Sequence, residues 1–207
     1  MNIESASDII SLFASSLSYV IPALLIISYA VFKLLMGRKT AKNSVLALLS
    51  ALPDDEYTVL NDIMIRSYTG ASQIDHVVIS SHGIFVIEVQ DYRGEIVGKD
   101  TDQYWTWSTG KEKHRFFNPI RQNHTHIKAL EAALESVGKA PFISVVVFPK
   151  DCELISEPLG VLHADRLLPK IQGYSKNVLT KTQIEVIAAT LERANIKSPE
   201  ERRQYAG

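Results

Sequence analysis

The sequence predicts an α/β domain with a mixed β-sheet flanked by helices, preceded by one transmembrane helix. An uncharged apolar run near the amino terminus is long enough to cross a bilayer, for which about 20 residues suffice. Behind it, short runs rich in β-branched and aromatic residues alternate with segments whose apolar residues recur at helical spacing. Their order, α-β-β-β-(β-β)-α-β-β-α, is typical of a layered domain.

The transmembrane helix is predicted over residues 9–36. The stretch Ile9–Phe32 carries no formal charge, and the Lys33 side chain can reach back toward the lipid headgroups. A cleaved signal peptide is the alternative, but it needs basic residues ahead of its apolar core, where this chain has Glu4 and Asp8. A core helix that is apolar on every face is unusual in so small a domain.

Charges around this helix predict its orientation. Residues 1–8 contain no lysine or arginine. Four basic residues follow the apolar run, namely Lys33, Arg38, Lys39 and Lys42. The segment with more basic residues beside a transmembrane helix stays in the cytoplasm. The short N-terminus is therefore expected outside the cell, and residues 37–195 are expected to form a cytoplasmic domain at the inner membrane. The lipid bilayer is therefore the first predicted partner, bound through residues 9–36 of a single-pass protein.

The first half of the domain is predicted to contain one helix and three strands. These elements are a helix at Lys39–Leu52, strands at Tyr57–Ile65, Gln73–Ser80 and Gly83–Gln90, and a loop over residues 66–72 between the first two strands. Ser81-His82 has the length of a tight hairpin turn between the second and third strands. Both of those strands are apolar on both faces, which indicates central strands covered on both sides.

The second half is predicted to add four strands and two helices. The strands are Gly94–Gly98, Tyr104–Trp107, Phe142–Pro149 and Gly160–His163. The helices run from Asn118 to Gly138 and from Thr182 to Asn195, with a flexible tail over residues 196–207. Asn118 suits the N-cap and Pro119 the first turn, whereas Thr182 and Glu185 have the spacing of a capping box.

Composition limits the classes of function. The chain has 22 Lys and Arg against 23 Asp and Glu, a formal net charge of −1. It therefore lacks the overall positive field of a strong nonspecific nucleic-acid binder, and any such binding must come from a local patch. Its single cysteine, Cys152, excludes an intrachain disulfide and a cysteine-rich metal site.

Two acids on neighbouring strands are the sharpest chemical feature. Counting outward from the turn Ser81-His82, antiparallel pairing places Asp75 opposite Glu88. Directly opposed residues have Cβ atoms about 4.5–5.5 Å apart, so the two carboxylates would repel unless a cation lay between them. Mg²⁺ suits this position because it favours one or two carboxylates plus water and substrate oxygens. A bulge at Gly83 would instead shift the register by one and separate the acids onto opposite faces.

The segment QIDHVVISSHGIFVIEVQDYRGEIVG, followed by Trp105 and then by NPIRQNHTHI, resembles the nuclease-related domain family. The resemblance covers roughly residues 38–165 and implies the restriction-endonuclease-like fold of the PD-(D/E)xK nucleases. It implies that Asp75 and Glu88 bind Mg²⁺ or Mn²⁺. It further implies that the backbone carbonyl of Val89 is available to the same metal ion.

Two glutamines complete the site that the resemblance implies. Gln90 stands where the superfamily usually has lysine, and Gln122 matches the glutamine of the family's NPxxQ motif; both are expected to orient water or phosphate. Gln90 departs from the pattern because an amide supplies no positive charge. Lys42-Asn43 is a second departure, since the family commonly has Gly-Glu there and one acidic group is therefore missing.

Further residues have two interpretations each. His126 lies one helical turn from Gln122 on the same face, which makes it a candidate neighbour of the acids rather than an ordinary helix residue. Three basic residues interleave with aromatic ones in a way that is typical of surfaces gripping nucleic acid, namely Lys111, Lys113 and Arg115. The alternative for these three is a hairpin with its aromatic side in the core and its charges in solvent.

These features together predict a membrane-tethered, Mg²⁺- or Mn²⁺-dependent nuclease that hydrolyses phosphodiester bonds of DNA or RNA. One alternative is a catalytically degenerate nuclease-like module that binds nucleic acid or a protein partner at the membrane. Another is a structural membrane protein whose domain mediates assembly. Metal-dependent cleavage distinguishes the first hypothesis from the other two, and nucleic-acid binding distinguishes the second from the third.

Overall fold

The computed structural model describes residues 40–67 and 70–205. The predicted transmembrane helix at residues 9–36 and the N-terminus at residues 1–8 lie outside these ranges. Among the residues that are described, no helix is both long enough and apolar enough to span a membrane. The described chain has a mixed α/β fold in which helices flank two mixed sheets.

Strands and helices alternate along the described chain. The strands are β1 (Tyr57–Ser67), β2 (Gly70–Ser80), β3 (Gly83–Val89), β4 (Gly94–Val97), β5 (Tyr104–Thr109), β6 (Glu112–Phe117), β7 (Phe142–Phe148), β8 (Cys152–Leu154) and β9 (Val161–His163). The helices are α1 (Ala41–Leu49), α2 (Pro119–Ala133), α3 (Leu167–Gln172), α4 (Lys181–Ala194) and α5 (Pro199–Tyr205), with a 3₁₀ turn at Ala164–Arg166.

The larger sheet has five strands in the order β1-β2-β3-β7-β9. Its first three strands pair antiparallel, whereas β7 and β9 join in parallel. On one face, α1 packs Val45 and Leu49 against the sheet; on the other, α2 packs Ala129 and Leu130. Strand β3 is buried along its whole length, which confirms the prediction of central strands covered on both sides.

The turn between β2 and β3 has the predicted length of two residues. Ser80 pairs with Gly83, so the register carries no bulge at that point. Gly83 has a φ of 129°, in the region that favours glycine. An added Cβ would also lie 2.9 Å from the Pro141 carbonyl oxygen. Glycine is therefore required at this corner for two independent steric reasons.

A second sheet of four strands, in the order β6-β5-β4-β8, corrects the expectation of one sheet. Strand β3 already lies between β2 and β7, so the chain that leaves it has no free neighbouring edge to join. Gly94, with a φ of 99°, begins β4 instead, and the β4–β6 meander forms its own sheet. Strand β6 was expected only under the alternative hairpin interpretation, because its Glu112–Phe117 run is mostly polar and exposed.

Two shorter segments also differ from expectation. Most of the predicted loop over residues 66–72 is paired strand, because Arg66 pairs with Ala71 and Ser67 with Gly70 across the β1–β2 hairpin. Helix α4 is capped two residues earlier than predicted, at Thr180 instead of Thr182. The Thr180 side chain accepts from the Gln183 amide, which gives a capping box with the same spacing as the expected Thr182 and Glu185 pair.

The segment predicted as a flexible tail, residues 196–207, contains helix α5. Its Arg202 guanidinium lies 2.6 Å from a carboxylate oxygen of Asp62 on β1. The same side chain donates at 2.8 Å to the carbonyl of Ile196 at the start of the segment. These polar contacts order residues whose composition alone suggested fraying.

Candidate functional site

Asp75 lies where strands β2 and β3 separate. Their pairing extends to His76 opposite Ile87, and the next position in this register is Asp75 opposite Glu88. There the backbone N–H of Val89 donates to Asp75 Oδ2 at 2.8 Å. The buried carboxylate therefore replaces the backbone acceptor that a continued ladder would supply.

The other oxygen of Asp75 carries an ion pair that the sequence analysis missed. Lys42 Nζ, from the first turn of α1, lies 2.5 Å from Asp75 Oδ1. Partial burial favours the neutral amine, but the hydrogen bond and the charge of Asp75 outweigh this and raise the pKa of Lys42. The sequence contained no direct indication of this ion pair. It showed only that Lys42-Asn43 stands where the family that the chain resembles commonly has Gly-Glu.

Both predicted glutamines donate hydrogen bonds to the same oxygen of Glu88. Glu88 Oε1 accepts from Gln90 Nε2 at 2.9 Å and from Gln122 Nε2 at 2.8 Å. Gln90 lies two residues along from Glu88, whereas Gln122 reaches it from the first turns of α2. The structure thus brings three of the four predicted catalytic side chains into direct contact.

His126 contacts the other oxygen of Glu88. Its Nε2 lies 3.2 Å from Glu88 Oε2, and its Nδ1 lies 3.2 Å from the Ser72 hydroxyl. The first contact is close but poorly directed, and among the described residues this buried Nε2 has no hydrogen-bond partner. His126 and Gln122 therefore do share a face of α2 toward Glu88, as their spacing indicated.

Burial dominates the electrostatics of Glu88. Only 5% of the residue is exposed, and loss of hydration raises the pKa of its carboxyl group. Nearby His126 acts in the opposite direction, the charge of Asp75 adds to the increase, and the charge of Lys42 opposes it. The ionised carboxylate is thus held in a site that disfavours its charge unless a cation is near.

The predicted basic residues lie elsewhere. Lys113 and Arg115 are exposed on β6, and Lys111 is in the turn before that strand. No ion pair or hydrogen bond of the described residues joins these three to Asp75 or Glu88. Inside the hairpin, Trp105 and Phe116 face the core, as the alternative interpretation expects, whereas Phe117 is 43% exposed.

The donor set of the site fits a hard cation that keeps most of its own water. Within the described ranges, no group of three or more His, Cys, Asp and Glu side chains is arranged to hold a metal ion. Mg²⁺ needs no such cage, because it binds proteins through one or two carboxylates and fills its remaining positions with water and substrate oxygens. A carboxylate can accept about four hydrogen bonds or ligands, so Asp75 and Glu88 retain free lone pairs.

Two buried asparagines hold α2 in place. The Asn118 side-chain oxygen accepts from the Ile120 amide at 2.9 Å, while its Nδ2 donates to the carbonyl of Asp102 at 2.7 Å. This confirms Asn118 as the N-cap with Pro119 in the first turn. Asn123 Nδ2 donates at 2.8 Å to the Val86 carbonyl on β3. The two residues fix the helix from which Gln122 and His126 reach Glu88.

Comparison with known proteins identifies a family to which these residues are similar. A family model described as "Nuclease-related domain" matches residues 37–149. The uncharacterized protein pXO1-01 of Bacillus anthracis is 35% identical over 164 residues, which cover 76% of this chain and 76% of that protein. No solved structure matches the chain. The matched segment contains every residue described above as contacting Asp75 or Glu88.

Proposed function

The chain belongs to the nuclease-related domain family, and from this premise we propose that it is a metal-dependent nuclease acting on DNA or RNA. We assign it a restriction-endonuclease-like fold and a tether through residues 9–36 to the inner face of the cytoplasmic membrane. Release of the full-length chain from cell membranes by detergent, but not by high salt, tests the tether; release by salt alone would contradict it.

The observation that carries the proposal is the coordination of Glu88 Oε1. Two amide groups, from Gln90 and Gln122, converge on this one buried carboxylate oxygen at 2.9 Å and 2.8 Å. Every buried acid needs hydrogen-bond partners. Here both partners are side chains that the resemblance assigns to the catalytic site, and they come from different parts of the chain. Because both amides donate to Oε1, the other oxygen, Oε2, has among the described side chains only the poorly directed contact with His126 Nε2 at 3.2 Å.

In the proposed reaction Asp75, Glu88 and the Val89 carbonyl would hold Mg²⁺ or Mn²⁺. A cation bound there supplies Lewis acidity: it lowers the pKa of water and polarises the scissile phosphate. Gln90 and Gln122 fix the orientation of the Glu88 carboxylate, and each keeps a side-chain carbonyl oxygen that can accept from the attacking water. Asp75 is oriented by the Val89 amide in the same way.

Cleavage assays with the full-length chain in mild detergent test this proposal. We expect degradation of single- or double-stranded DNA or RNA with Mg²⁺ or Mn²⁺ and none with EDTA. Asp75→Asn should lower the rate by about 100-fold or more, because it removes a charged metal ligand. Asp54→Asn, at an exposed turn position, is the matched control and should cleave at the wild-type rate. Equal rates for the Asp75 variant and the wild type would remove this site from the reaction.

A second candidate function is a nuclease-like module that binds nucleic acid without cleaving it. The observation that favours it is the outer face of the β5–β6 hairpin, where Lys113 and Arg115 share one side with Tyr104 and Phe117. Both aromatic residues are 43% exposed, and the Arg115 guanidinium lies 4.8 Å from the centre of the Tyr104 ring. Such a face combines cations for phosphates with rings for bases.

This second function predicts binding that weakens steeply as salt rises. Replacing Lys111, Lys113 and Arg115 together by alanine should weaken single-strand binding by at least about tenfold at moderate salt, since three phosphate contacts are lost. Fluorescence anisotropy with a labelled oligonucleotide in EDTA measures this. Replacing the exposed Lys181 and Lys128 by alanine is the control. Unchanged affinity in the triple variant would exclude this face as the binding surface.

A further inference from the structure

We propose that Lys42 is the resident cation of the Asp75–Glu88 site and that it competes with the divalent metal ion for Asp75. Nothing in the family pattern assigns a role to this lysine, whose helix usually contributes an acidic group instead. The inference rests on the proposed function in one respect only, namely that Asp75 is a metal ligand. It adds a side chain that sets how tightly the metal is held.

The position of Lys42 in its own helix argues against a purely local role. It stands in the first turn of α1, which contains no acidic residue. Unpaired N–H groups give a helix start a partial positive charge, so a cation there is locally unfavourable. Thr40 already caps the helix by accepting from the Asn43 amide. The lysine therefore finds its favourable interaction outside the helix, at Asp75.

Lys42 contacts the oxygen of Asp75 that the Val89 amide leaves open to a metal ion. Asp75 Oδ2 is engaged by the Val89 amide, and Lys42 takes Oδ1 at 2.5 Å. Only 6% of the Asp75 side chain is exposed, whereas 55% of the Lys42 side chain is. The ammonium group thus reaches a buried carboxylate from an exposed position, and it can leave that carboxylate without crossing the core.

Within residues 40–67 and 70–205, Lys42 is the only cation that forms an ion pair with Asp75. The superfamily's usual lysine is replaced by Gln90, whose amide nitrogen is already bonded to Glu88 Oε1. Among the described residues, the only ion pair of Asp75 is the one with Lys42. A divalent ion on Asp75 Oδ1 would lie beside this ammonium, and the repulsion between two cations on one buried oxygen favours displacement of the ammonium. The displaced charge remains beside the site, where it can meet a phosphate.

Titration with Mn²⁺ tests the competition on the full-length chain in mild detergent. Isothermal titration calorimetry should show on the order of tenfold tighter Mn²⁺ binding for Lys42→Met, because a charge-assisted contact no longer has to be broken. Lys42→Arg keeps the charge and should bind close to wild type. Lys181→Met is the matched control, since Lys181 is also an exposed lysine in the first turn of a helix. Circular dichroism establishes that each variant is folded.

The cleavage rate of the same variants is a second readout, and it should change in the opposite direction to their Mn²⁺ affinity. Lys42→Met should cleave more slowly than wild type although it binds Mn²⁺ more tightly, because the positive charge near the phosphate is lost. Adding Gln90→Lys to Lys42→Met returns a cation from β3 and should restore at least about tenfold in rate. A merely structural ion pair would change stability without this divergence of metal affinity and rate.

The outcomes separate this inference from the proposed function. Unchanged Mn²⁺ affinity in Lys42→Met overturns the competition even if the wild type cleaves nucleic acid. Tighter Mn²⁺ binding in Lys42→Met with no cleavage by any variant sustains the competition and removes the nuclease activity. If neither wild type nor Lys42→Met binds Mn²⁺ in the millimolar range, both are overturned, because Asp75 is then not a metal ligand.

Discussion

Replacing Glu88 by glutamine is expected to lower cleavage by at least about 1000-fold and, at the same time, to stabilise the metal-free protein by about 1 kcal/mol. The loss of activity follows from removing a charged metal ligand. The gain in stability follows from burial, since an ionised carboxylate that is 5% exposed has lost most of its hydration. Glutamine keeps the acceptor oxygen for Gln90 and Gln122 and removes the charge.

The same substitution offers His126 a hydrogen bond that it now lacks. Its buried Nε2 lies 3.2 Å from Glu88 Oε2 without a well-directed partner among the described residues. A glutamine amide at that position can donate to Nε2 when the imidazole proton is on Nδ1. Satisfying a buried polar atom adds to the stability gained by removing the charge.

The stability gain from Glu88→Gln should depend on pH with a defined sign. Burial raises the pKa of Glu88 in the folded chain above its unfolded value. Below the pKa that Glu88 has in the unfolded chain, the group is protonated in both states and costs no stability. The full cost of ionising it applies only above its raised pKa in the folded chain. In EDTA, the difference in stability between Glu88→Gln and wild type should be largest at neutral pH and shrink as the solution becomes acidic.

Thermal unfolding followed by circular dichroism measures this difference. A gain of 1 kcal/mol corresponds to a rise in Tm of about 2–4 °C for a chain of this size. Glu131→Gln removes an exposed carboxylate from α2 and should change neither Tm nor rate. A lower Tm for Glu88→Gln in EDTA would show that Glu88 stabilises the fold, and the site would then be structural. Residual activity near the wild-type level would exclude Glu88 as a metal ligand.

Features governed by neighbouring residues could be predicted from the sequence. The turn Ser81-His82 was predictable because the length of a hairpin loop determines strand register. The alternative of a bulge at Gly83 is excluded only by the observed pairing of Ser80 with Gly83. The N-cap at Asn118 followed from the same kind of local rule, in which an amide side chain satisfies a free helix N–H group. That Gln122 belongs to the same site as Glu88 came from the resemblance, and the helical face that Gln122 shares with His126 came from spacing.

Features that depend on long-range partners could not be predicted. The pair of Lys42 and Asp75 joins a helix to a strand end, and no spacing rule connects the two positions. The second sheet arises because β7, far along the chain, occupies the edge of β3 that the β4–β6 meander would otherwise join. Helix α5 is similarly ordered by the distant Asp62. In each case local propensity is overridden by a contact that only the tertiary fold creates.

Replacing Trp105 by alanine is expected to destabilise the protein by about 3–5 kcal/mol, the largest stability loss that we predict. Trp105 is 1% exposed and joins the two sheets, because it extends from β5 and stacks on Phe148 of β7 with ring centroids 6.2 Å apart. Its indole N–H also donates to the Lys99 carbonyl at 2.9 Å. Trp107→Ala, at a half-buried position of the same strand, is the control and should cost less.

Gly98 supplies the space that the Trp105 ring fills. A Cβ at position 98 would overlap the indole, so Gly98→Ala should cost about 1–3 kcal/mol through overpacking. In the Trp105→Ala background the ring is gone, so the same change should cost close to nothing, which gives a coupling of about 1–3 kcal/mol. Thermal unfolding of the four proteins in this double-mutant cycle measures the coupling. Additive losses would mean that the cost of Gly98→Ala does not arise from overlap with the indole ring.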